Sequence, residues 1–123
     1  MNKNDNQIYV IFGASGDLTK RKLVPAIYSL FVQNLLPDKF ALLGVSRTGY
    51  SDDEFRTKMK SAITEYKEIN DSSKIDEFIK KIYYTSINSN EVGAYKNLKE
   101  KIVKLRITNN IKGNTIFYLS TPP

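Results

Sequence analysis

The chain has 123 residues, of which 41% are hydrophobic and 26% are charged, a composition that is ordinary for one modest globular domain. It contains no cysteine and no histidine, which excludes disulfides, thiolate chemistry and the side chain most often used as a base near neutral pH. Its net charge of +6 favours anionic ligands. No apolar run is long enough for a membrane helix, and the N-terminus lacks a secretory signal, so we expect a cytoplasmic protein.

The first predicted element is a short strand of consecutive apolar residues, Ile8–Phe12. An unbroken apolar run of this length is typical of a strand buried on both faces, as in a parallel sheet. The next residues, Gly13–Gly16 (GASG), predict a tight turn into a helix, an arrangement in which backbone N–H groups can face a phosphate. With Thr19 three positions later, the spacing is a relative of the dinucleotide-binding fingerprint, although such glycines also serve turns that bind nothing.

The rest of the chain alternates helical and extended segments. Pro25 lacks a backbone N–H, so we expect an irregular turn before a regular helix, and Ser51–Glu54 is a capping box that marks another helix start. We expect Tyr95 to face the core from the last helix. The predicted elements are an irregular turn at Asp17–Lys22, helices at Leu23–Leu35, Ser51–Tyr66, Asp71–Ile79 and Glu91–Arg106 (after a turn at Asn88–Asn90), and strands at Phe40–Val45, Ile82–Tyr84 and Thr115–Leu119.

Strands that alternate with helices predict parallel βαβ units. The fold class is therefore α/β, and the chain corresponds to the N-terminal part of a Rossmann-like doubly wound parallel sheet. We interpret residues 1–123 as one dinucleotide-binding domain that is incomplete at its C-terminal end, because the last predicted strand would normally be followed by another helix.

The segment GASGDLTKRKLVPAI (residues 13–27) resembles the N-terminal signature of glucose-6-phosphate dehydrogenases, approximately GASGDLAKRKLxPAL. The resemblance continues through FALLGVSRTG (residues 40–49) and returns in FYL before Pro122-Pro123, where the family has FYLALPP. Thr19 stands where the family usually has alanine, and Ser120-Thr121 replaces Ala-Leu. The middle of the chain matches only in its pattern of elements.

This resemblance implies an NADP-dependent oxidoreductase that converts glucose 6-phosphate to 6-phosphogluconolactone, the first step of the pentose phosphate pathway. It also implies that the substrate domain, with a histidine base and a lysine for the sugar phosphate, lies beyond residue 123. We therefore expect these 123 residues to be inactive alone, to hold no catalytic residue and no metal, and to belong to a full-length homo-oligomer whose glucose 6-phosphate site lies mostly outside them.

Arg47 follows the second predicted strand, where NAD-preferring domains carry an acidic residue for the ribose hydroxyls. A guanidinium fork suits a 2′-phosphate, so NADP is the favoured cofactor, although an arginine at a strand end can also be merely solvated. The resemblance places Arg47 at the family's 2′-phosphate contact.

Lys20, Arg21 and Lys22 form a basic triplet at a helix start, which is unfavourable beside the positive end of the dipole unless an anion lies nearby. The resemblance implies that Lys20 flanks the pyrophosphate and that Lys22 is substrate-binding, close to the nicotinamide. The resulting cofactor-binding candidates are Gly13, Ala14, Ser15, Gly16, Asp17, Leu18, Thr19, Lys20, Arg47 and Tyr118.

Two other functions remain open at this point. One is the coenzyme domain of another NADP-linked dehydrogenase, such as a semialdehyde dehydrogenase, against which the extended KRKLVP match counts. The other is a small basic module that binds nucleic acid or another polyanion, which the net charge of +6 permits. Because no aromatic-basic pattern or recognition-helix motif is present, we expect no nucleic acid as a partner, and because no long apolar run is present, we expect no membrane.

Overall fold

The computed structural model describes residues 6–87 and 92–119, so the predicted turn at 88–90 and the Ser120–Pro123 match lie outside the described residues. Within these ranges the chain forms a four-stranded parallel sheet in the order β3-β2-β1-β4. The strands are β1 (Gln7–Phe12), β2 (Phe40–Ser46), β3 (Ile82–Ser86) and β4 (Thr115–Leu119). The predicted α/β class and parallel sheet are confirmed.

Helices cover both faces of this sheet. They are a π-helical turn (Thr19–Leu23), α1 (Val24–Val32), α2 (Asp52–Tyr66), α3 (Ile75–Ile79) and α4 (Ala94–Asn109). Tyr9 and Ile11 of β1 pack on the side of α1, α2 and α3, whereas Ile8 and Val10 pack on the side of α4. Because both faces of β1 are buried, its residues Ile8–Phe12 are apolar or aromatic without alternation. No helix in the described ranges is long and apolar enough to cross a membrane.

The irregular turn before α1 is confirmed as π-helical. The N–H of Val24 donates to the carbonyl of Thr19, five residues back, and this wider turn precedes Pro25 in the first turn of α1. The predicted end at Leu35 is wrong, because α1 stops at Val32. Asn34 has a φ of 61°, and the N–H of Leu35 donates to the carbonyl of Leu30 at 2.9 Å, which closes the helix.

Two other predicted helix boundaries need correction. Helix α3 begins at Ile75 rather than at Asp71, because the Asp71 carboxylate accepts hydrogen bonds from both the N–H and the hydroxyl of Ser73. Helix α4 runs from Ala94 to Asn109 instead of ending at Arg106, and the predicted start at Glu91 lies outside the described residues.

The start of α2 is as predicted and also closes the edge of the sheet. Ser51 accepts from the N–H of Glu54 at 3.1 Å, and the Glu54 carboxylate accepts from the N–H of Ser51 at 3.0 Å, which completes the capping box. One residue later, the Asp52 carboxylate accepts from the N–H of Tyr84 at 2.7 Å. The Nε of Arg56 donates to the carbonyl of Ile82, also at 2.7 Å. These α2 side chains occupy two of the outward backbone groups of β3, an edge strand that could otherwise pair with another chain.

Candidate dinucleotide-binding site

The carboxyl end of β1 is the point where the sheet reverses its strand order. From β1 the chain proceeds to β2 and then β3 on one side, and β4 lies on the opposite side of β1. In open parallel sheets, ligands bind in the crevice that this reversal creates. The turn Gly13–Gly16 directly follows β1 and therefore lies at the mouth of that crevice.

The glycine turn is anchored on the neighbouring strand. The N–H groups of Gly13 and Ala14 donate to the carbonyl of Val45 at 2.9 and 3.1 Å, and the N–H of Gly16 donates to the carbonyl of Gly13 at 3.0 Å. Gly13 has a φ of 77°, which requires glycine, whereas Gly16 is not among the positive-φ glycines of the described residues. Gly13 therefore makes the turn, as predicted, and Gly16 is an exposed position that needs no unusual backbone conformation.

Backbone donors remain available above this turn. For the described residues, the structure records no acceptor for the N–H groups of Ser15, Asp17 and Leu18, as is normal at the start of a helix. Ala14 and Thr19 are fully buried beneath them, and the Thr19 hydroxyl donates to the carbonyl of Gly13 at 3.4 Å. The Thr19 side chain therefore supports the turn from below, and a cofactor contact by either residue stays a prediction.

A cleft of about 560 Å³ opens on the β2 side of the turn and contains Arg47. Arg47 is exposed, and no carboxylate lines the cleft in the part of the chain that the structure describes. A lone guanidinium in such a cleft suits a phosphate group. The lining residues are Phe12, Gly13, Ser15, Val45, Ser46, Arg47, Thr48, Ile87 and Tyr95.

Tyr95 lies in the candidate site, which its position in the sequence pattern did not predict. It was expected to face the core, but its side chain is 62% exposed and lines the Arg47 cleft. Ala94 and Leu98, one helical turn apart, are the buried positions, and Tyr95 is rotated by about 100° from Ala94. The sequence feature that indicates this position is the place of Tyr95 in the first turn of a helix that follows a strand, at the edge of the sheet where ligands bind.

A second cleft, of about 320 Å³, lies on the β4 side of the turn. It brings together Lys22 and Tyr118, which the sequence analysis had assigned separately to substrate and cofactor. Tyr118 pairs in register with Ile11 of β1, and its ring centroid lies 6.2 Å from that of the buried Tyr9. The cleft is lined by Leu18, Lys22, Leu23, Ala26, Tyr118 and Leu119.

The structure does not bring the other predicted charged residues into either cleft. Lys20 lines a groove against α2, with Glu65 and Tyr66 among its neighbours, and the guanidinium of Arg21 lies 5.4 Å from the centre of the Tyr66 ring. Asp17 is exposed and forms no ion pair with another described residue. The basic triplet is therefore divided, with Lys22 on the β4 side and its two predecessors towards α2.

Two tyrosines beside the clefts remain neutral over the physiological pH range. Burial, and secondarily the nearby Tyr118, raises the pKa of Tyr9 to about 12. Burial also raises the pKa of Tyr84, although a hydrogen bond from Ser46 partly opposes that shift. Both phenols can therefore act as hydrogen-bond donors, Tyr9 to the side-chain oxygen of Gln7 at 2.7 Å and Tyr84 to the carbonyl of Thr48.

Comparison with known proteins identifies similar chains. The family model described as glucose-6-phosphate dehydrogenase, NAD binding domain, matches residues 10–123. The glucose-6-phosphate 1-dehydrogenase of Aggregatibacter actinomycetemcomitans is 40% identical over 98% of this chain and 24% of its own length. That of Treponema pallidum is 41% identical over 94% of this chain and 23% of its own length. The chain thus spans about a quarter of the length of these relatives.

Solved structures give the same result for the fold. A glucose-6-phosphate dehydrogenase in complex with its substrate glucose 6-phosphate superimposes with a TM-score of 0.82 and 28% identity, over 100% of this chain and 26% of that protein. The glucose-6-phosphate 1-dehydrogenase of Mycobacterium avium superimposes with a TM-score of 0.75 and 26% identity, over 95% of this chain and 24% of that protein.

Proposed function

The chain belongs to the family of glucose-6-phosphate dehydrogenase NAD binding domains, and from that premise we propose that it is the NADP-binding part of a glucose-6-phosphate dehydrogenase. The parent protein oxidises glucose 6-phosphate to 6-phosphogluconolactone and transfers the hydride to NADP. The observation that carries the proposal is the position of the glycine turn between two clefts at the strand-order reversal, with Arg47 in one and Lys22 in the other.

Each part of the site then has one role. The backbone N–H groups of Ser15, Asp17 and Leu18 receive the pyrophosphate, because they have no acceptor among the described residues and lie at a helix start. Arg47 binds the 2′-phosphate of the adenosine half, in a cleft without a competing carboxylate among its described lining residues. The Lys22–Tyr118 cleft receives the nicotinamide half, so Lys22 also lies close to the sugar substrate.

When bound, NADP supplies the hydride acceptor, and these residues supply position and charge. The resemblance implies a histidine base and the 123 residues contain no histidine, so we assign the group that takes the proton from the C1 hydroxyl to another part of the parent protein. We assign residues 1–123 to the dinucleotide domain, the substrate domain to the remainder of the parent, and a homo-oligomeric state to the whole. We also assign it to the cytoplasm, while spinach and potato relatives bear the name chloroplastic.

The decisive experiment compares Arg47→Ala with Arg21→Ala in the full-length parent. Both variants lose one arginine, but only Arg47 lines the cleft, whereas Arg21 lies over the Tyr66 ring. Losing a charged hydrogen bond costs about 1.5–3 kcal/mol, so Arg47→Ala should raise the Kd for NADP by about 10- to 140-fold. The Kd for NAD, which has no 2′-phosphate, should hardly change.

Fluorescence titration of the reduced cofactors measures both constants. Equal losses for NADP and NAD would contradict the assignment of Arg47 to the 2′-phosphate. An effect of Arg21→Ala as large as that of Arg47→Ala would show that only the overall positive charge matters, as in a polyanion-binding module.

A further inference from the structure

A closed ring of hydrogen bonds holds the backbone on both sides of Arg47. The N–H of Thr48 donates to the hydroxyl of Ser46 at 3.2 Å, and that hydroxyl is hydrogen-bonded to the phenol of Tyr84. The Tyr84 phenol donates to the carbonyl of Thr48, so its single proton is used and Ser46 must be the donor to Tyr84. The ring therefore fixes both the N–H and the C=O of Thr48.

Tyr84 can hold this ring of hydrogen bonds in place because its own position is fixed. Its side chain is only 3% exposed, and its ring centroid lies 4.8 Å from that of Phe55 and 5.3 Å from that of Tyr50. Its backbone is held on one side by Gly44 in the register of the sheet and on the other by the Asp52 carboxylate. The phenol therefore reaches residues 46–48, the Arg47 segment, from a neighbouring strand, and it has little freedom to move.

The Arg47 side chain lacks such support. It is exposed, and no ion pair or hydrogen bond from it to another described residue is present. Two-point binding of a phosphate by a guanidinium requires a defined geometry, and ordering a mobile segment on binding lowers affinity. The order of the Arg47 segment therefore depends on the hydrogen bonds that Tyr84 and Ser46 make to the backbone of Thr48, which together we call the clamp.

We infer that the Tyr84 hydroxyl is a positioning group that sets the preference for a 2′-phosphorylated dinucleotide by holding Arg47 in place. The inference rests on the proposed function, because it requires Arg47 to contact the 2′-phosphate. A buried phenol also needs hydrogen-bond partners for the stability of the fold. If that were the only role of the Tyr84 hydroxyl, removing it would change stability alone. The clamp predicts a change in the ratio of the Kd for NAD to the Kd for NADP.

Tyr84→Phe in the full-length parent tests this, since it keeps the ring and removes the hydroxyl. Tyr28→Phe is a matched control: Tyr28 is fully buried, and its hydroxyl donates to a backbone carbonyl, that of Asp71, at 2.8 Å. Both variants should lose stability. Only Tyr84→Phe should lower the NAD-to-NADP Kd ratio, by about 3- to 10-fold, as expected for one lost neutral hydrogen bond.

Ser46→Ala breaks the same ring while leaving Tyr84 intact, so it decides the question if Tyr84→Phe does not fold, and it should lower the ratio in the same direction. An unchanged ratio in the folded variants, or an equal change in Tyr28→Phe, would overturn the inference.

Arg47→Ala separates the two proposals. If Arg47→Ala removes the NADP preference and Tyr84→Phe leaves the Kd ratio unchanged, only the clamp is wrong, whereas an Arg47→Ala variant that keeps the preference contradicts the 2′-phosphate contact itself. In an Arg47→Ala background, Tyr84→Phe should cause no further change.

Discussion

Replacing Gly44 with alanine should disturb the core directly beneath the glycine turn. Gly44 lies in β2, and a Cβ at this position would be 2.7 Å from Phe55 Cζ, 2.8 Å from Phe55 Cε2 and 2.9 Å from Ala14 Cβ. Carbon atoms prefer separations of about 3.5–4.0 Å, so each contact is too short by about 0.6 Å or more. Phe55 and Ala14 are both fully buried, so neither can move without disturbing its neighbours.

Overpacking of this kind costs about 1–3 kcal/mol, and contacts on two sides place Gly44→Ala in the upper half of that range. Alanine recovers about 0.5–1 kcal/mol by restricting the unfolded backbone. The net loss should be about 1–2.5 kcal/mol, which corresponds to a rise of about 5- to 60-fold in the equilibrium opening of this part of the domain. The displaced Ala14 is in the phosphate turn, so NADP affinity should fall as well.

Amide hydrogen exchange of the full-length parent, followed by mass spectrometry, reports this opening in the peptides of β1 and β2. Gly49→Ala is the matched control, because a Cβ at Gly49 would meet nothing within 4 Å. In a Phe55→Leu background, which removes the two ring atoms, Gly44→Ala should cost at least about 0.5 kcal/mol less than in the wild type. If Gly44→Ala exchanges no faster than Gly49→Ala, or if Phe55→Leu gives no relief, the steric argument fails.

Two further predictions concern the turn and the neighbouring strand. Gly16→Val should abolish binding of both NADP and NAD while the far-ultraviolet circular dichroism stays largely intact, because a branched side chain blocks approach to the turn; normal titration curves would mean that the cofactor binds elsewhere. Tyr9 has a folded-state pKa of about 12 against an ordinary value of 10.0, so its contribution to stability is complete below pH 10 and is lost as the pH rises towards 12. Tyr9→Phe should therefore flatten the alkaline limb of a denaturation profile, and an unchanged slope would contradict the shift.

Short-range chemistry made several elements predictable. The apolar run at Ile8–Phe12, the left-handed Gly13 and the capping box at Ser51 and Glu54 each depend on residues a few positions apart, and all three are present. Pro25 likewise predicted an irregular turn, because a missing N–H affects the backbone wherever the helix lies. The order of the strands is not a local property, and the parallel sheet was inferred from the alternation of elements.

The tertiary structure decided which residues of these elements meet. Helical geometry and packing directed Lys22 to the Tyr118 cleft and Lys20 towards α2, although the two lysines are two positions apart. The same packing exposed Tyr95 beside Arg47 because Ala94 and Leu98 took the buried positions. Tyr84 lies on the predicted third strand, but its hydrogen-bond ring joins residues 36 and 38 positions apart. Local patterns specify backbone conformation because they act within a few residues, whereas a binding site depends on contacts that exist only after the strands have paired.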